Sequence, residues 1–139
     1  MHHGTFDAVL LMPTEIFELM VAHCLDGYPL EACGLLAGTA DRATLAYPTA
    51  NAAASSRVYA VEPRELLRAD RDAEDHGVEL IGVWHSHTHT DAYPSPTDIA
   101  QAPDPAWHYV LISLRDVEPV LRSYRVVDGT VTEEQVEVQ

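Results

Sequence analysis

The sequence predicts an α/β (α+β) fold, a mixed β-sheet flanked by helices, formed as a single domain over residues 1–139. Three observations lead there. The length suits one ordinary domain, which clusters around 100–150 residues. Short apolar, β-prone runs are separated by two stretches whose apolar residues recur at helical spacing. The chain closes on two β-prone runs joined by Asp128-Gly129, a strong hairpin signal.

The elements follow in order. Residues 8–12 form an apolar run that ends at Pro13 and reads as a strand. Ile16, Phe17, Met20, Val21, Cys24 and Leu25 then mark an amphipathic helix up to Gly27. The run Cys33-Gly34-Leu35-Leu36-Ala37 is a buried strand, residues 44–47 a weaker one and residues 58–61 a third. Pro63 opens a second helix, which carries Leu66, Leu67, Ala69 and Ala73 among charges and stops at Gly77, a C-cap residue. Residues 78–84 are apolar and β-prone, which puts His85 at or just beyond the C-terminal end of a central strand. Ser95-Pro96-Thr97-Asp98 has Ser at N-cap, Pro at N1 and an acid at N3, the start of a short helix. Residues 108–114 and the hairpin 120–127/130–138 complete the order β-α-β-β-β-α-β-(short α)-β-β-β.

Charge and composition exclude several partners. Twenty-two Asp and Glu against 8 Lys and Arg give a net charge of −14, so phosphate backbones and anionic lipid surfaces would be repelled. No apolar stretch approaches the ~20 residues of a membrane helix. Met1-His2-His3-Gly4 lacks the basic and apolar regions of a leader, so a cytoplasmic protein is expected, with His2 and His3 in a disordered, solvated end. Cys24 and Cys33 both lie in core elements, which argues against a disulfide framework and agrees with a reducing compartment.

The chemistry concentrates in His85, His87, Ser95 and Asp98. Residues two apart on extended chain project to one face, about 6.6 Å apart along it, so two imidazoles can converge on one ion. Taken alone, Ser95 and Asp98 read most simply as helix caps. With the histidines they complete H-x-H-x7-S-x-x-D, two neutral imidazoles and a carboxylate. Structural zinc takes four protein ligands, whereas catalytic zinc keeps three and leaves a position for water, whose pKa falls from 15.7 to about 7. A base is still needed to carry the proton to a leaving amine.

This pattern, with an upstream glutamate, resembles the JAMM (MPN-plus) metallopeptidases, and its spacing matches without a gap. The resemblance implies a JAMM/MPN-like fold, a cytidine-deaminase-like mixed sheet flanked by helices. It assigns Glu31 as general acid/base, Ser95 as stabiliser of the oxyanion, and His85, His87 and Asp98 as ligands of one Zn2+ per chain. The likeness spans nearly the whole chain and is closest to the actinobacterial Mec-type branch, which releases cysteine from a sulfur-carrier protein. Glu31-Ala32-Cys33-Gly34, His85-Ser86-His87-Thr88, Ala92-Tyr93-Pro94-Ser95, His108-Tyr109-Val110-Leu111 and Leu121-Arg122-Ser123-Tyr124-Arg125 carry it. The chain also looks like the bare family core, without the insertions that deubiquitinating members use to grip ubiquitin.

The other reactive residues take blander readings. His89 and Asp91 read as solvated loop residues, Trp84 as core packing, and His23, His76 and His108 as surface or satisfied core residues. Cys33 has apolar neighbours, which leave a thiol inert. Arg57 and Arg122 have the chemistry to bind a substrate carboxylate, but an exposed Arg usually has no such task.

The resemblance therefore implies hydrolysis of the amide at the C-terminus of a ubiquitin-like sulfur carrier, whose tail would lie extended along a sheet edge. Two alternatives stand beside it: an isopeptidase or small-amide hydrolase using the same site, and a non-catalytic scaffold domain.

Overall fold

The computed structural model describes residues 8–55 and 58–139, so the readings of His2, His3 and Arg57 lie outside the described residues. Its elements are β1 (Val9–Met12), α1 (Thr14–Gly27), β2 (Cys33–Thr39), β3 (Arg42–Thr49), α2 (Pro63–Asp75), β4 (Glu79–His87), α3 (Pro96–Ala100), β5 (His108–Ser113), β6 (Val120–Val127) and β7 (Thr130–Val138). All the expected helices form, and every expected strand but one.

That exception is residues 58–61. Val61 makes only an isolated bridge to Asn51. The β-prone side chains there serve another purpose, since Tyr59 lays its ring on His85. The weaker run at 44–47 is by contrast part of a full strand, because β2 pairs with it from Cys33↔Thr49 to Thr39↔Arg42.

The strands join in the order β1-β3-β2-β4-β5-β6-β7, and β1 also pairs with β7, so the mixed sheet closes on itself as a barrel. Pairs β4/β5, β1/β7 and β1/β3 are parallel and the others antiparallel. Asp128 and Gly129 both take positive φ, which is what the two-residue β6–β7 turn demands.

Every residue of β4 after Glu79 is buried, consistent with a strand covered on both faces. On one face Trp84 packs with Leu36, Val110 and Ile112 against Ile16, Met20 and Cys24 of α1. On the other, Leu35, Val83, Tyr109, Leu111 and Tyr124 meet Ala69 and Ala73 of α2. A register shift against β2, between Leu36↔Gly82 and Ala37↔Leu80, sets which side chains of β4 point which way. Beyond it, Val83, His85 and His87 follow one another on the α2 face.

His85 lies inside β4, a correction to its expected place at or past the strand end. Both neighbours keep pairing: β2 as far as Cys33↔His85 and β5 as far as His87↔Ser113. The strand bearing the histidines therefore presents no free edge. Among the described residues no helix is long and apolar enough to cross a membrane.

Gly34 crosses β4 directly opposite Trp84, and a Cβ there would lie 2.2 Å from the indole ring, which is fully buried. Gly34→Ala should lower unfolding stability by about 1–3 kcal/mol through overpacking, read as a drop in urea midpoint.

Candidate metal centre and its carboxylate neighbour

The site is built where β4 meets two loops. His85 and His87 share a face of β4, as period-2 geometry requires, and both are buried. Asp98 reaches them from α3 through a capping box: Ser95 Oγ accepts the Asp98 N–H at 3.1 Å, and Asp98 Oδ2 accepts the Ser95 N–H at 2.9 Å. The same Oδ2 lies 3.2 Å from His85 Nε2 and 3.1 Å from His87 Nε2, and the two Nε2 atoms are 3.3 Å apart. The capping reading and the ligand reading of Asp98 are thus compatible.

These three atoms form the donor set that can hold a metal ion among the described residues. A tetrahedral zinc ion with bonds of 2.0–2.1 Å separates its ligand atoms by roughly 3.3–3.4 Å, so the arrangement fits such an ion closely. The tautomer fits too. His87 Nδ1 donates to the backbone carbonyl of Asp91 at 2.7 Å, which leaves the Nε2 lone pair facing the site.

Electrostatics follow the geometry. Burial pushes the His85 imidazolium below its ordinary value. For His87 burial acts the same way but is outweighed by Asp98 and the Asp91 carbonyl, so its value rises. Burial would raise Asp98, yet the two imidazoles and the Ser95 N–H hold it well below the usual carboxylate range.

Glu31 completes the group. The stretch before β2 continues alongside β4: Ala32 N–H donates to Ser86 Oγ, and Ser86 N–H donates to the Ala32 carbonyl, each at 2.9 Å. Extending the Cys33↔His85 register by two residues sets Glu31 across from His87, on the same face. Glu31 N–H donates to the Ser55 carbonyl at 2.7 Å, and the Glu31 carbonyl accepts from Asn51 Nδ2 at 2.9 Å. The side chain is 4% exposed, and its Oε1 has no hydrogen-bond partner among the described residues. Burial pushes its pKa up to about 7; the His87 charge opposes the rise and Asp98 adds to it. A buried carboxyl group with one unpartnered oxygen beside a donor set that could hold a metal has the chemistry to accept a proton.

The remaining sequence-based readings can be placed. Trp84 is core. His23 Nε2 donates to the Cys33 and Thr49 carbonyls at 3.0 and 3.2 Å. His108 is fully buried between Glu134 (2.5 Å) and Asp41 (3.1 Å), and His76 is exposed at the end of α2, against the Asp72 carbonyl. Cys24 and Cys33 are buried free thiols; burial pushes Cys24 up to about 12 and Cys33 upward as well. Arg122 pairs with Glu133 at 2.9 Å. Asp91, read as a solvated loop residue, has an exposed side chain but contributes its carbonyl to His87, and a backbone acceptor leaves no trace in sequence. Tyr59 and Asn51 were also missed, having no spacing that marks them.

Residues 13–127 match the family described as prokaryotic homologs of the JAB domain. The chain belongs to that family. It is 45% identical over 133 residues to the CysO-cysteine peptidase of Mycobacterium tuberculosis, covering 94% of this chain and 91% of that protein. It is 33% identical over 111 residues to a desampylase of Haloferax volcanii, covering 75% and 80%. A protein of Desulfitobacterium hafniense solved in solution superposes with a TM-score of 0.86 at 34% identity, covering 94% and 92%. Within this JAB family the chain is a peptidase.

The raised Glu31 pKa carries a stability consequence for metal-free protein. Between the ordinary value of 4.5 and about 7 the folded state holds the proton more tightly than the unfolded chain. Stability is therefore greatest at the acid end and is lost as pH rises through that window. Glu31→Gln removes the penalty. Relative to metal-stripped wild type, it should gain on the order of 2 kcal/mol between about pH 5 and pH 8 in urea melts.

Proposed function

We propose that this peptidase is a zinc enzyme that hydrolyses the amide at the C-terminus of a small ubiquitin-like sulfur-carrier protein, releasing cysteine. The observation that carries the chemistry is the convergence of three donor atoms beside the unpartnered Glu31 carboxylate. The substrate reading rests on the 45% identity to a CysO-cysteine peptidase across nearly the whole chain.

In this reading His85, His87 and Asp98 hold one zinc ion. Bound there, zinc would supply an acidified water and polarise the carbonyl of the scissile bond. Glu31 takes the proton from the attacking water and delivers it to the departing amine, and its dry surroundings keep its affinity for that proton near the working pH. Ser95 uses its oxygen to cap α3, which leaves the hydroxyl hydrogen to donate to the developing oxyanion. Two free, buried cysteines and an acidic chain suit a cytoplasmic setting, with the whole of 1–139 acting as one domain. The relation to a desampylase favours a second reading, cleavage of a carrier from a protein conjugate by the same residues.

The purified protein should carry close to one zinc per chain and lose activity on chelation, while thiol alkylation leaves it active. Glu31→Gln should retain zinc and lose roughly 10²–10⁴-fold in turnover of a carrier bearing a C-terminal cysteine. Mass spectrometry of that adduct, of the carrier bearing other residues and of a carrier–protein conjugate decides the substrate. Cleavage of the conjugate alone overturns the cysteine reading and leaves the peptidase chemistry.

Ser95→Ala separates its two duties. Turnover should fall by about 10²-fold if the hydroxyl meets the oxyanion. The lost cap should cost about 1 kcal/mol in the same protein. Unchanged turnover with lowered stability would leave Ser95 a cap alone.

A further inference from the structure

The two histidines are held in different ways. His87 is fixed at its second nitrogen by the Asp91 carbonyl. His85 has no hydrogen bond to Nδ1 among the described residues. What meets its ring is Tyr59, stacked at a centroid distance of 4.0 Å and an interplanar angle of 19°. A face-on aromatic contact restricts rotation of the imidazole about its broad terminal torsion, the freedom a ligand must lose to aim Nε2.

Tyr59 belongs to no named strand, so something else must hold it. Asn51 does so on both sides: its Oδ1 accepts the Ala60 N–H at 2.9 Å, and its Nδ2 donates to the Val58 carbonyl at 3.0 Å. The Ala52 N–H adds a bond to the Ala60 carbonyl at 2.7 Å. The same Nδ2 also reaches the Glu31 carbonyl, so one amide spans the carboxylate residue and the segment lying on the ligand. Only a side chain with both a donor and an acceptor can make this set, which excludes Asp and Ala.

We propose that Tyr59 is the positioning residue for His85 and that Asn51 fixes Tyr59 in that position. The inference rests on the metal-centre reading above, and its test uses binding rather than turnover. Zinc affinity is measured by chelator competition, and the visible spectrum of the cobalt-substituted protein reports ligand geometry.

Tyr59→Ala and Tyr59→Leu should each weaken zinc binding about 10–100-fold and alter the cobalt bands, whereas Tyr59→Phe, which keeps the ring, stays within about twofold. The leucine variant fills the space without stacking and serves if the alanine variant folds poorly, as judged by circular dichroism. Asn51→Ala should weaken zinc to a similar extent, and combined with Tyr59→Ala it should add nothing further, because both act along one route. Wild-type affinity and spectra in both the Ala and Leu variants, or additive losses in the double variant, overturn the positioning inference alone. A wild-type protein that takes up neither ion overturns the metal reading and this inference with it.

Discussion

A single carboxylate oxygen, Asp98 Oδ2, ties the site together. It accepts the N–H that opens α3 and faces two imidazole nitrogens on β4, so the helix start and the strand end are held by one atom. Such an oxygen is strongly favoured in its ionised form, which its depressed pKa expresses. The capping box fixes the backbone from which Asp98 projects before any ion is involved. A donor set presented by a strand and a capped helix loses little freedom on binding, which is the property a preorganised centre requires.

The opposite tendency governs Glu31. Asp98 is stabilised as an anion, whereas Glu31 is buried with one oxygen unpaired and resists ionisation. Two carboxyl groups in one pocket thus differ in proton affinity because hydrogen-bond donors surround one and not the other. This asymmetry is held by backbone contacts rather than by the carboxyl itself. Ser55 and Asn51 grip the Glu31 main chain, and Ser86, on the far face of β4, grips Ala32.

Another buried polar cluster is held differently, with Glu134 Oε1 left without a hydrogen-bond partner among the described residues. At the start of β5, His108 bridges Glu134 and Asp41, and Ser123 donates to the same Glu134 oxygen at 2.6 Å. That cluster links β5, β6 and β7 to the β2–β3 turn and offers no convergent set of lone pairs. Cys33 likewise lies beside Thr49 under burial that disfavours a thiolate. Histidines and thiols are therefore not rare inside this barrel; what distinguishes His85 and His87 is that their Nε2 atoms converge with Asp98 Oδ2 on a common position.

The sequence by itself determined the element order apart from residues 58–61, the two longer helices, the hairpin turn and the capping box, because each is written in local spacing: 3.6-residue periodicity, Asp128-Gly129, and Ser95-Pro96-Thr97-Asp98. It also determined that His85 and His87 share a face, since that follows from extended backbone alone. Only the tertiary structure decided which face. The register shift of β4 against β2 resets its side-chain parity, β4 lies between β2 and β5, and closure of the sheet through β1 and β7 joins its two outermost strands. The strand expected at 58–61 dissolved for the same reason: β-propensity describes a residue's fit to a pleated surface, but a strand exists only where a partner edge is free to pair. Asn51, Tyr59 and the Asp91 carbonyl act across distances in sequence that no local pattern encodes, so their roles became visible only when the chain was folded around His85 and His87.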